Sequence, residues 1–303
     1  MRKHLISIFV GLLHLQQQIC NTIAQNLYPQ NDFANNLEWL ESSRDNLDRG
    51  IFERDAEIPR PNLRKQPRIV GGYEAKVGRY PYQVALLMED QKTAFCGGTL
   101  ITPTWVLSAA HCDGLGNRIQ IGRHNFNDTA FLDYEEIAIK RTIPHPDFSL
   151  YTLENDITLI ELEEPSSYEP VMLDSGSTVL TFLTEYTIMG WGTIASRGAQ
   201  SNVLLEAQVD PVTTSKCNRR YIIYGGINPG IMMCAARIGV DSCQGDSGGP
   251  LMVLGANVED DVQVGIVSWG IGCGTGIFPG VYTRVSSYRE FVDTNVYGVS
   301  WSS

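Results

Sequence analysis

The chain has 303 residues and a formal net charge of −11, from 34 acidic side chains against 23 Lys and Arg. That balance argues against nucleic acid and anionic membrane as partners, because both require a basic surface. Seven cysteines occur with no Cys-x-x-Cys pair, so a zinc reading is poor, and two isolated histidines, His124 and His145, make no metal site.

Residues 1–24 read as a secretory signal peptide: Arg2 and Lys3, an apolar run from Leu5 to Leu15, then Thr22-Ile23-Ala24 as a small-residue cleavage site. The run is too short to span a bilayer. The expected product is secreted and extracellular, and loss of Cys20 with the signal leaves six cysteines, an even number suited to an oxidising compartment. Six cysteines allow fifteen pairings, among which sequence alone does not choose.

Residues 25–68 are polar, with Pro59, Pro61 and Pro67 near their end, and read as a propeptide with too few apolar residues for a core. Asn36 to Arg54 fits a short amphipathic surface helix. From Ile69 the pattern changes to short apolar runs separated by Gly, Pro, Asn and Asp. Tyr82–Met88, Gly98–Leu107, Arg118–Ile121, Ile157–Leu162, Val262–Trp269 and Gly280–Val285 read as strands, which favours an all-β barrel or sandwich. Ser286–Val296 reads as a terminal helix. Asn127-Asp128-Thr129 is a glycosylation sequon.

Three segments carry chemistry. Thr104 to Cys112 is an apolar strand ending in small residues, then His111 locked beside a cysteine. Glu154-Asn155-Asp156 puts a carboxylate immediately before an apolar strand. Asp241 to Pro250 presents Ser247 among glycines whose exposed amides suit an oxyanion hole. A serine nucleophile needs a histidine base and a carboxylate to orient it. Gly245-Asp246-Ser247-Gly248-Gly249 also fits the elbow of α/β-hydrolases, but that fold places its histidine after the serine, and none follows Ser247.

With Ala-Ala-His-Cys, Asn-Asp-Ile and Gly-Asp-Ser-Gly-Gly-Pro in this order, the chain resembles the trypsin-like serine proteases of the chymotrypsin family from Ile69 onward, about three quarters of its length. The resemblance implies two antiparallel Greek-key β-barrels, about 69–175 and 176–288, with a short C-terminal helix, in a protease domain of residues 69–303. It implies His111, Asp156 and Ser247 as catalytic triad and the amides of Gly245 and Ser247 as oxyanion hole. It places Asp241 and Ser242 at the base of an Arg- or Lys-selective pocket kept open by Gly270 and Gly280, with Ser268, Trp269 and Gly270 pairing with extended substrate and Leu153 beside it. It pairs Cys96 with Cys112, Cys217 with Cys234, and Cys243 with Cys273. Arg68-Ile69-Val70-Gly71-Gly72 resembles a zymogen activation site, at which cleavage after Arg68 frees the Ile69 amine to meet buried Asp246. Arg68 itself fits that specificity, so the protein is one candidate for its own activating protease, and Arg197 is a candidate self-cleavage site. Implied partners are protein or peptide substrates with Arg or Lys, proteinaceous inhibitors and the activating protease.

The chain departs from the family in one loop. Many trypsins bind calcium in the segment that here runs from Arg123 to Glu136, beginning with a glutamate where this chain has Arg123. A cation opposes calcium, whose ligands are oxygens, and Arg123 paired with Asp133 or Glu135 takes the ion's place. No metal or other cofactor is therefore expected. The competing reading, a catalytically dead homologue serving as a binding module, normally entails loss of a triad residue, and all three are present.

Overall fold

The computed structural model describes residues 72–89, 91–127, 134–178, 184–193, 199–237, 246–271 and 278–303. The chain divides into Met1–Lys65 and Gln66–Ser303, and every described residue lies in the second unit. Its strands in the first half are β1 (Tyr73–Glu74), β2 (Gln83–Leu87), β3 (Cys96–Thr102), β4 (Trp105–Ser108), β5 (Arg118–Ile121), β6 (Glu135–Pro144) and β7 (Thr158–Leu162). The second half holds β8 (Met172–Leu173), β9 (Tyr186–Gly190), β10 (Leu205–Val212), helix α1 (Thr214–Tyr221), β11 (Met232–Ala236), β12 (Pro250–Val253), β13 (Val262–Trp269), β14 (Gly280–Arg284) and helix α2 (Arg289–Asn295).

Strands β2 to β7 close in the order β2-β3-β4-β7-β6-β5, and β9 to β14 close in the order β9-β10-β11-β14-β13-β12. In each, three strands meander, the fourth returns beside the first, and the sixth pairs with the third. This identical wiring makes two related antiparallel barrels, the architecture expected above. Closure leaves neither barrel an open edge.

The segment read as one strand, Gly98–Leu107, is two strands turning at Pro103-Thr104, with Thr102 opposite Trp105 and Thr99 opposite Leu107. Proline has no N–H for a central ladder, so it marks the reversal. Strand β6 is masked in sequence by its Glu-Glu and Lys-Arg pairs, yet Ile137, Ile139 and Ile143 reach the core. Helix α1 is equally hidden, since only Cys217 and Tyr221, four positions apart, are buried. The terminal helix begins later than Ser286, after a 3-10 turn at Val285–Tyr288.

Each barrel has its own filling, and one cluster also runs between them. Leu100 and Ile101 of β3 are fully enclosed, each contributing about 1.5–3 kcal/mol by burial. In β10, Leu205, Ala207 and Val209 alternate inward with Tyr186, Ile188, Val264 and Tyr282. Polar clamps also join the barrels. Arg79, before β2, donates two hydrogen bonds of 2.5 and 2.8 Å to Asp261, before β13, whose carboxylate also accepts from Tyr82 Oη at 2.7 Å and from the Gly255 amide at 3.0 Å. Strand β1 crosses to pair with β10, and the C-terminal residues Ser300 and Ser302 bond the backbone of Leu173.

Candidate active site

His111 and Asp156 meet because of strand register. Strands β4 and β7 are antiparallel with Ser108 opposite Thr158, so the chain leaving β4 and the chain entering β7 emerge side by side. His111 sits in the 3-10 turn Ala110–Cys112, and the disulfide Cys96–Cys112 ties that turn to β3. Its backbone N–H donates to Asp156 Oδ1 at 2.9 Å, and its Nδ1 lies 2.8 Å from Asp156 Oδ2. With Nδ1–H engaged by the carboxylate, Nε2 of the neutral ring is the free base. Cys96, Cys112 and His111 offer atoms within 4.8 Å of one another, but the two sulfurs are bonded and hold no thiolate for a metal.

Asp156 is fully buried, and the second barrel helps to hold it. Ser268 Oγ of β13 donates to Asp156 Oδ2 at 2.5 Å, and Thr283 Oγ1 of β14 donates to the Asp156 carbonyl at 2.9 Å. The turn before it is tight: Leu153 and Asn155 have φ of 52° and 57°. Asn155 carries that conformation with support, since its Oδ1 accepts from Tyr288 Oη and its Nδ2 donates to the Asp147 carbonyl. Burial alone would disfavour both charges. For His111 the Asp156 charge and hydrogen bond outweigh it, so the imidazole lies above its ordinary 6.5. For Asp156, burial is likewise outweighed by His111 and the Ser268 donor, holding the carboxyl below its ordinary 3.8.

Ser247 comes from the other barrel. It occupies a turn closed by Gly249 N–H to the Asp246 carbonyl, 2.9 Å, and clamped to β13 by Gly248 N–H to Val267 O and Val267 N–H to Gly249 O, both 2.8 Å. Its carbonyl accepts from the Gly97 amide of β3 at 2.7 Å and lies 3.8 Å from Cys112 Sγ. Glycine is required at this junction: φ at Gly248 is +78°, and a Cβ there would meet Ser108 Oγ at 2.3 Å and Gly97 O at 2.6 Å. The half-buried serine is thus seated against the disulfide that anchors the His111 turn.

The neighbouring Asp246 is buried, with its carboxylate threaded between two glycines. The Gly192 amide donates to its Oδ1 at 2.8 Å, and a Cβ at Gly190 or Gly192 would lie 2.2 or 2.3 Å from its oxygens. Gly270 and Gly280 face each other across the ends of β13 and β14, where a Cβ on Gly270 would lie 3.8 Å from Gly280 Cα. Trp269 packs edge-on against Tyr221, with ring centroids 4.7 Å apart. The pairing Cys217–Cys234 is formed. Asn127 is exposed. Arg68, Ile69, Asp241, Ser242, Cys243, Gly245 and Cys273 lie outside the described residues, as does Arg197.

In the loop that opens at Arg123, the guanidinium donates to the Asn125 and Phe126 carbonyls and lies 3.9 Å over the Tyr134 ring. Glu135 is engaged by the hydroxyls of Ser166 and Ser167, and Asp133 lies outside the described residues. His124 pairs with Glu74, and His145 lies against the rings of Tyr288 and Phe291. Sequence reasoning missed the bond from the Ser268 hydroxyl to Asp156. The signal was there, because a hydroxyl inside the apolar strand Val262–Trp269 needs a buried partner.

A protein-family model described as Trypsin matches residues 69–292. Trypsin 5G1 of Aedes aegypti is 37% identical over 239 residues, covering 76% of this chain and 85% of that protein. Trypsin-2 of Salmo salar is 37% identical over 235 residues, covering 76% of this chain and 95% of that protein. Serine protease 56 of Mus musculus is 36% identical over 237 residues, which make up 39% of that longer protein.

Proposed function

The chain belongs to the trypsin family and is a serine endopeptidase, and from that premise we propose that Ser247, His111 and Asp156 are its catalytic triad and that it cuts after Arg or Lys. The observation that carries the triad is the bond of His111 Nδ1 to a buried, ionised Asp156, which aims Nε2 outward as base. Ser247 Oγ adds to the substrate carbonyl carbon as His111 takes its proton, and the oxyanion is held by the amides of Gly245 and Ser247. His111 then protonates the leaving amine, which departs to leave an acyl-enzyme. Water, deprotonated by His111, releases the new carboxylate and restores Ser247.

Specificity rests on Asp241, with Ser242, at the base of a pocket that Gly270 and Gly280 keep open by carrying no side chain. A desolvated carboxylate there requires a cationic side chain. The strand end Ser268 to Gly270 is the edge on which substrate backbone pairs. Activation follows removal of signal 1–24 and propeptide 25–68 from domain 69–303, and the freed Ile69 amine seats at Asp246 in its glycine-lined slot. Cys243–Cys273 is the third bridge, and Asn127 is a glycosylation acceptor. Secretion fits the leader, and among the described residues no helix is long and apolar enough to cross a membrane. Proteases of this family act on protein substrates and are regulated by protein inhibitors.

Cleavage of matched peptide amides ending in Arg, Lys, Phe or Ala, before and after limited proteolysis at Arg68, tests the whole reading. Activity arising only after the cut, confined to Arg and Lys, lost in Ser247→Ala and broadened in Asp241→Ser, is the expected outcome. Retained activity in Ser247→Ala refutes the triad, and an unchanged preference in Asp241→Ser refutes the pocket.

A further inference from the structure

Helix α1 has two faces of opposite purpose. Its inner face is pinned: Cys217 is bridged to Cys234 of β11, Tyr221 Oη donates to the Pro279 carbonyl at 2.5 Å, and the Tyr221 ring lies against Trp269 and Phe278. Its outer side carries Lys216, Arg219 and Arg220, all exposed and spaced i, i+3, i+4, so the three cations are neighbours. Among the described residues none of the three has an ion pair. The chain then turns through Ile222–Tyr224, leaving Ile222 and Ile223 exposed at 66% and 70%. Cations in a last helical turn complement the helix dipole, but that does not account for two adjacent isoleucines held in water directly beyond them.

We propose that α1 and this turn form a docking surface for an acidic segment of a protein substrate, anchored by large apolar side chains and lying beyond the residues that flank the cut. The inference rests on the endopeptidase activity and is independent of the preference for Arg or Lys. Charge complementarity selects the occupant: on a chain of net charge −11, an acidic segment is repelled by most of the surface and focused on this cluster. The exposed isoleucines select a peptide over a sulfated polysaccharide, because a polysaccharide has no side chain with which to bury them. Rigid attachment through the disulfide and Tyr221 places the docked segment on the element that backs Trp269, so docking adds to cleft binding as a second, tethered contact.

The test uses the full chain, processed after Arg68, and a short labelled peptide of Asp and Glu with Leu and Phe anchors and no Lys or Arg, so that it is not cut. Fluorescence anisotropy is expected to show binding that weakens about tenfold in Lys216→Glu/Arg219→Glu/Arg220→Glu and about tenfold in Ile222→Ser/Ile223→Ser. The neutral set Lys216→Gln/Arg219→Gln/Arg220→Gln is expected to fall between, and all variants to keep the activity of the parent on small amides. Joined by a flexible linker to an Arg amide substrate, the same peptide is expected to lower KM, with the gain lost in the variants. Binding indifferent to both sets of substitutions overturns the proposal. So does equal binding of heparin or of the peptide with Ser in place of its anchors, and so does docking with no change in KM. Retained docking alongside failure to cleave any Arg or Lys amide would count against the specificity reading and leave the surface standing.

Discussion

Gly248 and Gly78 share a left-handed backbone, with φ of +78° and +76°, but differ in what a methyl group would meet. At Gly78 nothing lies within 4 Å. At Gly248 a Cβ would lie 2.3 Å from Ser108 Oγ, 2.6 Å from the Gly97 carbonyl oxygen and 3.2 Å from the Ala109 amide. Alanine at either position pays about 1–2 kcal/mol for the backbone conformation. Gly248→Ala adds about 1–3 kcal/mol of overpacking, because two of the three atoms are backbone and do not swing aside. In a domain of this size 1 kcal/mol moves Tm by about 2–4 °C, so Gly248→Ala should lower Tm by about 4–20 °C and Gly78→Ala by about 2–8 °C. Activity should part the two further: the clash pushes on Ser108 and Ala109, which lead into His111, and on the turn that holds Ser247. A displacement of about 1 Å there costs kcat about 100-fold, whereas Gly78→Ala leaves kcat unchanged. Adding Ser108→Ala to Gly248→Ala should recover only part of the loss in Tm, since the Gly97 carbonyl remains. Thermal melts and initial rates on one peptide amide decide the matter. Equal loss of Tm in the two single variants would refute the claim that Gly248 is required by the approach of the barrels.

The raised value of His111 predicts that kcat/KM climbs with pH through an apparent pKa above 6.5, as the imidazole becomes the free base. Asp156→Asn should move that limb below 6.5, where burial alone puts it, and lower kcat about 10⁴-fold near neutrality; a pH–rate profile checks both. In stability the signs are opposite for the two partners. The contribution of the raised His111 is full below 6.5 and lost as pH rises through its folded value, and that of the depressed Asp156 is present above 3.8 and lost as pH falls. The pair therefore stabilises most between those limits, and a denaturation series against pH should lose this feature in His111→Ala. Asp261→Ala should cost about 3 kcal/mol in urea unfolding, because it strips Arg79, Tyr82 and the Gly255 amide of their shared acceptor; a cost below about 1 kcal/mol would show the inter-barrel clamp to be idle. Millimolar calcium should leave Tm unchanged if Arg123 takes the place of the ion, and a rise of several degrees would refute that reading.

The sequence by itself determined the class of fold, the order histidine, aspartate, serine, and the family, because each rests on local chemistry: short apolar runs broken by turn residues, and small motifs whose residues lie within a few positions of one another. Even the turn at Pro103 was written locally, and only the strand pattern on both sides concealed it. The sequence did not determine how β4 and β7 register, and that register, Ser108 against Thr158, is what delivers His111 to Asp156. Nor did it announce that Ser268 and Thr283, more than a hundred residues downstream, hold Asp156 from the opposite barrel. Strand β6 and helix α1 stayed hidden because their charged residues obscure an apolar period that only burial against distant strands reveals. The glycines show the division most plainly. In sequence Gly97, Gly190, Gly192 and Gly248 carry no sign of what they face, whereas in the fold Gly97 and Gly248 let two barrel backbones touch and Gly190 and Gly192 give a buried carboxylate its seat. Steric exclusion between segments remote in sequence exists only once the chain has closed both barrels, so tertiary structure alone could decide it.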